Sequence, residues 1–105
     1  MAEIIWTEAA LSDLDAIADY IALENPAASQ RFVCWVFKHI DQLSDHPESG
    51  SIPPELEGLR YRQIMEPPCR VFYRHDGDRV FILHAMRSER LLRIARLEAK
   101  EGRDS

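Results

Sequence analysis

The sequence predicts an α+β fold with element order β-α-α-β-β-β-α, a small antiparallel sheet with an N-terminal helical hairpin packed on one face. Three observations carry that prediction. Apolar residues recur at a helical period over residues 8–45, the period falls to 2 between residues 59 and 86, and a helical period returns from Ser88. At 105 residues and 46 % hydrophobic composition, the chain has the material for one small core, so a single domain is expected and disorder of the whole chain is excluded. No internal repeat, low-complexity tract or linker interrupts it.

Each element follows from its residues. Glu3-Ile4-Ile5-Trp6 reads as a first strand, ended by Thr7, a good helix N-cap. From Glu8 to Glu24, Ala10, Leu14, Ile17, Ala18 and Ile21 repeat at three- and four-residue steps, with Asp13, Asp15 and Asp19 off the stripe. Asn25-Pro26 starts a second helix. Proline at the first helical position gives up only an N–H that has no intrahelical partner anyway. That helix is expected to run to about Asp45 with Phe32, Val33, Val36, Phe37, Ile40 and Leu43 inward, and the short Asn25-Pro26 joint makes the pair an antiparallel hairpin. Residues 46–58 hold three of the six prolines and two of the four glycines, a structured connection. Alternation around Leu59–Ile64 and Cys69–Arg74, the Asp76-Gly77 turn and the apolar run Val80–Met86 give three consecutive antiparallel strands, the last apolar enough to be central. Leu91, Leu92, Ala95 and Ala99 then mark a final helix over about 88–101.

Charge is unevenly placed. The net charge of −5 argues against a nucleic-acid surface, yet residues 1–58 sum to −9 and residues 59–105 to +4. Arg outnumbers Lys eleven to two, the preference expected where a planar fork recognises carboxylate or phosphate. No apolar run reaches the roughly 18 residues of a membrane span, and the start lacks the cationic region of a secretory signal, so a soluble cytoplasmic protein is expected. Cys34 and Cys69 have no metal or disulfide spacing and read as small residues in or near the core. No metal site or cofactor is expected.

Phosphate-binding glycine loops, the nucleophile elbow, zinc-protease and EF-hand patterns are all absent, which removes most common enzyme classes. His39, His46 and His75 read as solvated surface residues. His84 has two readings: with Arg87 and Arg90 it supplies a general acid and a phosphate clamp for RNA cleavage, or it is a packed histidine closing the core beside surface arginines. Arg60 and Arg62 on one strand, and Arg70 and Arg74 on the next, form a four-arginine surface if their faces coincide, and an ordinary solvent face otherwise. On the last helix Arg90, Arg93, Arg96, Lys100 and Arg103 form a ridge opposite the apolar side, either a solvated face or a docking ridge. Tyr20, Leu23 and Trp35 lie off the helical stripes, and they either meet a partner as an exposed patch or pack at helix ends or under a terminal helix.

The opening Trp6-Thr7-Glu8-Ala9-Ala10-Leu11-Ser12-Asp13-Leu14, then Asp19-Tyr20-Ile21-Ala22 with Asn25-Pro26-Ala27-Ala28, Leu43-Ser44-Asp45-His46-Pro47-Glu48-Ser49-Gly50, and the hairpin Val71-Phe72-Tyr73-Arg74 to Val80–Arg87 together resemble the RelE/ParE superfamily of toxins from bacterial type II toxin-antitoxin modules. The resemblance spans about residues 4–90. It implies neutralisation by a small antitoxin, acidic where it meets the toxin, with Tyr20, Leu23, Trp35, Arg70 and Arg74 as its contacts and a toxin-antitoxin hetero-oligomer as the assembly. ParE-like members poison DNA gyrase and RelE-like members cleave mRNA on the ribosome. By position Arg60, Arg62, Arg70, His84 and Arg87 match a RelE-like nuclease site. No lysine lies on the strands and no tyrosine follows the last one, so the ParE-like function is the leading expectation, with Arg87, Arg90, Arg93 and Arg96 toward the target. A nuclease is the alternative, and a non-toxic member that only binds its antitoxin is a third.

Overall fold

The computed structural model describes residues 1–88. Strand β1 (Glu3–Trp6) leads into helices α1 (Glu8–Ala22) and α2 (Pro26–Asp41), and strands β2 (Tyr61–Glu66), β3 (Cys69–Asp76) and β4 (Arg79–Arg87) follow. The expected final helix lies outside the described residues.

Both helix starts form as their residues dictate. Thr7 Oγ1 accepts the Ala10 N–H at 3.2 Å and donates to the Ile82 carbonyl at 2.7 Å, so the residue that caps α1 also ties it to β4. Asn25 Oδ1 accepts the Ala28 N–H at 3.0 Å with Pro26 behind it. The hairpin closes through Ser29, whose hydroxyl donates to the Ala18 carbonyl at 2.6 Å. Helix α2 stops at Asp41 rather than Asp45, and its end tightens into a 3-10 turn, Gln42–Ser44. Pro47 disfavours helical backbone at His46, while Leu43 still turns inward and is fully buried.

The sheet order is β1-β4-β3-β2. Strands β2, β3 and β4 are consecutive and antiparallel as expected, but β1 pairs in parallel with β4, Ile4 opposite Val80, so the sheet is mixed. Strand β4 is accordingly central over the stretch where β1 accompanies it. Glycine supplies the β3–β4 turn, Gly77 sitting at φ +60°.

A bulge then rearranges β4. Tyr73 faces Ile82 and Phe72 faces His84, which leaves Leu83 as the extra residue. Val80, Ile82 and Ala85 join the helix-side core with Leu14, Val36, Ile40, Val71 and Tyr73, whereas Leu83 packs with Leu56, Tyr61 and Phe72 on the opposite face. Each large side chain so buried contributes about 1.5–3 kcal/mol of transfer free energy. Leu56 belongs to the connection after α2, which folds over that opposite face through a short turn, Pro54–Leu56, and a bridge from Ser51 to Gln63. Earlier in the same connection Gly50 comes close to the sheet on the Tyr73 side: its N–H donates to Tyr73 Oη at 3.0 Å, and that hydroxyl donates to the Pro47 carbonyl at 2.8 Å.

The cysteines part company. Cys69 is buried as expected, but Cys34 is exposed, because it falls off the stripe of Phe32, Val36 and Ile40 that α2 turns inward. Burial pushes the Cys69 thiol up to about 12 and raises the Tyr73 phenol as well. Native protein at neutral pH should therefore titrate one thiol with a disulfide reagent and two in denaturant. Both raised groups keep their protons longer when folded. Their contribution to stability is thus constant below the unfolded pKa values and falls as pH rises, with Cys69 removing about 1.4 kcal/mol per unit across the window from about 9 to about 12. Urea melts between pH 8 and 11 check the slope, and Cys69→Ala should flatten it.

Candidate functional site

The faces of the two arginine-bearing strands do not coincide. Arg62 pairs with Tyr73 and Tyr61 with Arg74, so Arg62 shares the Tyr73 side while Arg70 and Arg74 share the opposite one. The four-arginine surface is therefore not formed: Arg60 and Arg62 border one recess, apart from Arg70 and Arg74. Arg60 is exposed just before β2. Arg62 Nη1 donates to the carbonyls of Glu48 at 3.2 Å and Gly50 at 2.9 Å, holding the connection against the sheet.

Arg70 is buried. Its two terminal nitrogens donate to the two carboxylate oxygens of Glu55, each at 2.8 Å, its Nε donates to Gln63 Oε1 at 2.9 Å, and the guanidinium lies 4.9 Å over the Phe72 ring. Such a fork-to-fork pair spends its donors within the fold. Arg74, also buried, approaches Asp76 at 3.3 Å and lies 4.8 Å over Phe81. Both arginines expected at an antitoxin surface thus sit against their own chain.

His84 is likewise built in. Its Nδ1 is 2.7 Å from Asp13 Oδ2, the same oxygen accepts the Ala85 N–H at 3.2 Å, and the imidazole stacks on Phe72 with centroids 5.8 Å apart. The reason is topological. Strand β1 ends at Trp6 opposite Ile82, so among the described residues the β4 backbone beyond has no strand on that side, and α1 crosses there and supplies a carboxylate in place of a ladder partner. The pair fixes the histidine tautomer and fastens α1 to β4, which favours the packed reading of His84.

Asp13 escaped the sequence reading because aspartate counts as polar in any periodicity. Its spacing was informative all the same: it stands four residues after Ala9 and four before Ile17, both buried. The surface histidines also differ in part. His46 is exposed, but His39 Nδ1 is 2.8 Å from Glu66 and His75 Nε2 is 2.7 Å from the Gly77 carbonyl.

Among the aromatic and apolar candidates, Tyr20, Leu23 and Trp35 are 58 %, 83 % and 55 % exposed, enough for all three to meet a partner. Cations accompany two of them: Arg87 lies 4.8 Å over Tyr20 and Lys38 5.2 Å over Trp35. Arg87 is therefore held by α1, apart from the Arg70–Glu55 pair on the other face. Arg90, Arg93, Arg96, Lys100 and Arg103 lie outside the described residues. Among those described, no group of three His, Cys, Asp or Glu is arranged to hold a metal ion, and no helix is long and apolar enough to cross a membrane.

Relatives match this chain in sequence, and a solved structure matches it in fold. A family model described as the ParE toxin of the type II toxin-antitoxin system parDE matches residues 4–92. The chain is 33 % identical over 94 residues to Toxin RelE2 of Caulobacter vibrioides, covering 90 % of this chain and 100 % of that one. It is 32 % identical over 84 residues to the putative toxin Y4kP of Sinorhizobium fredii, covering 78 % and 86 % respectively. Among solved structures, it superposes on a chain of the chromosomal ParDE toxin-antitoxin system from P. aeruginosa with a TM-score of 0.69 at 29 % identity, covering 85 % of this chain and 98 % of that chain.

Proposed function

The chain belongs to the ParE toxin family of type II toxin-antitoxin systems, and from that membership we propose that it inhibits growth by poisoning DNA gyrase. The family implies a cognate antitoxin partner that neutralises it by direct binding. One observation favours gyrase over mRNA as the target: of the five residues that would make a nuclease, Arg60 and Arg62 border one recess while Arg70, His84 and Arg87 are held elsewhere. Arg60 is exposed ahead of β2, Arg62 is tied to backbone carbonyls, Arg70 is sequestered by Glu55 on the opposite face, His84 is clasped by Asp13, and Arg87 lies over Tyr20. Phosphodiester cleavage needs a proton-transfer group and cations within hydrogen-bonding reach of one phosphate. A protein that stabilises a DNA–gyrase cleavage complex needs only a binding surface. In this reading Arg87 with Arg90, Arg93 and Arg96 faces the target, and Tyr20, Leu23 and Trp35 face the antitoxin.

Purified toxin added to gyrase and relaxed plasmid should block supercoiling and leave linear DNA after detergent and protease treatment, and equimolar antitoxin should restore activity. Primer extension on translated mRNA should show no new cuts. Codon-linked cuts with normal supercoiling would establish the ribosome-dependent nuclease instead, and silence in both assays a member that only binds its antitoxin.

A further inference from the structure

The helical hairpin turns a charged face away from the sheet. Helix α1 buries Ala10, Leu14 and Ile17 and leaves Glu8, Leu11 and Asp15 exposed at three- and four-residue steps. Helix α2 buries Phe32, Val36 and Ile40 and leaves Arg31, Cys34 and Lys38 exposed at the same steps. One helix thus carries an acidic stripe and its neighbour a basic one. Among the described residues no side-chain hydrogen bond or ion pair engages Glu8, Asp15 or Arg31, and Lys38 is engaged through Trp35, 5.2 Å from its ring centroid. We propose that this face binds a second copy of the chain, hairpin against hairpin about a two-fold axis running along the helices. Asp15 then meets the partner's Arg31, and Glu8 meets the partner's Lys38.

The register of the hairpin carries the inference. Ser29 donates to the Ala18 carbonyl at 2.6 Å, so those two residues lie level. The helices run antiparallel and each rises about 1.5 Å per residue, so a residue some places beyond Ser29 lies level with the one as many places before Ala18. Arg31 is therefore level with Ala16, next to Asp15, and Lys38 with Ala9, next to Glu8. A two-fold axis parallel to the helices keeps every residue at its own height while it lays each α1 antiparallel on the partner's α2. Cation and carboxylate that share a height in one chain consequently meet across the axis.

Mixed sign selects the occupant. A nucleic acid or a uniformly acidic peptide gains from Arg31 and Lys38 but is repelled by Glu8 and Asp15 beside them, whereas a second copy presents the opposite sign at each place. Between the charges the face is low. Leu11 is 39 % exposed, and Ala16, Ala27 and Cys34 are small, so helices can approach closely there. Two adjacent helices of this length offer a face roughly 20 Å wide and about 22 Å long, or about 450 Å² per copy. That is below the roughly 800 Å² per partner of a standard interface, so a dimer in micromolar exchange with monomer is expected. The gyrase reading is neither used nor altered.

Sedimentation equilibrium of the full chain from about 5 to about 500 µM should show monomer passing into dimer. Asp15→Arg and Arg31→Asp each turn two attractions into two repulsions and should weaken the dimer at least about tenfold. Both positions are exposed, so circular dichroism should show the fold of each variant unchanged. An equimolar mixture of the two variants again sets cation against carboxylate at both contacts and should dimerise as the unaltered chain does. The doubly substituted chain, with its two charges exchanged, should do the same. A chain that stays monomeric throughout the range, a single variant that associates as tightly as the unaltered chain, or a mixture no tighter than its components would each overturn the proposal.

Discussion

Gly50→Ala should unfold the junction between the connection and the sheet, lowering stability by about 3 kcal/mol in urea melts, near the top of the range for overpacked cores. A methyl group at this position would lie 2.6 Å from Tyr73 Oη, 2.7 Å from Tyr73 Cε1 and 2.7 Å from the Gln63 carbonyl oxygen. None of the three can give way cheaply. Tyr73 is fully buried in the helix-side core, and the Gln63 carbonyl accepts the Ser51 N–H at 3.0 Å. The demand on Gly50 is thus one of space, unlike that on Gly77, whose positive φ is conformational. Tyr73→Phe is the companion variant. It keeps the ring and removes the hydroxyl that joins Gly50 to Pro47, and about 1–3 kcal/mol should be lost through those two backbone groups left without their partner. Combined with Gly50→Ala, it should cost less than the sum, because the phenylalanine has no hydroxyl for the methyl to strike.

Periodicity made the fold legible where a face is buried continuously. The stripes of α1 and α2, the Thr7 and Asn25 caps and the three-strand meander are local patterns, and each appears in the structure where its residues place it. Less was legible wherever a polar residue is used internally. Alternation puts Arg70 and Arg74 opposite Val71 and Tyr73, but it carries no information on whether the face they occupy meets solvent. That face is covered because the proline-rich connection returns over it with Leu56, and a thirteen-residue segment without period gives no direction of travel. The bulge at Leu83 is a second hidden step. Strict alternation along Val80–Met86 sets Ile82 and His84 on one face, and the extra residue separates them. The parallel pairing of β1 also depends on where the helical hairpin delivers the chain, a property of packing rather than of the four residues themselves.

The Arg70–Glu55 pair carries the largest expected effect on the opposite face. Arg70 retains only 8 % of its side-chain exposure and Glu55 19 %, so the charges are largely withdrawn from water. Glu55→Ala leaves the guanidinium with Gln63 and the Phe72 ring but without its counter-charge, and should cost about 3–5 kcal/mol, the penalty for a buried charge whose partner is removed. Replacing both ends, Arg70→Met with Glu55→Leu, removes charge and counter-charge together and should recover most of that loss, since apolar side chains of similar volume often pack at no net cost. The pair of measurements also bears on function. If Arg70 holds a loop to the sheet, the folded double variant should still arrest growth on induction and still block gyrase supercoiling. If Arg70 instead clamps a phosphate during mRNA cleavage, restored folding will not restore toxicity. Thermal melts establish the fold of each variant first, so a toxic double variant excludes Arg70 from any cleavage machinery, and a stable but harmless one removes the dispersal of arginines as support for a gyrase poison.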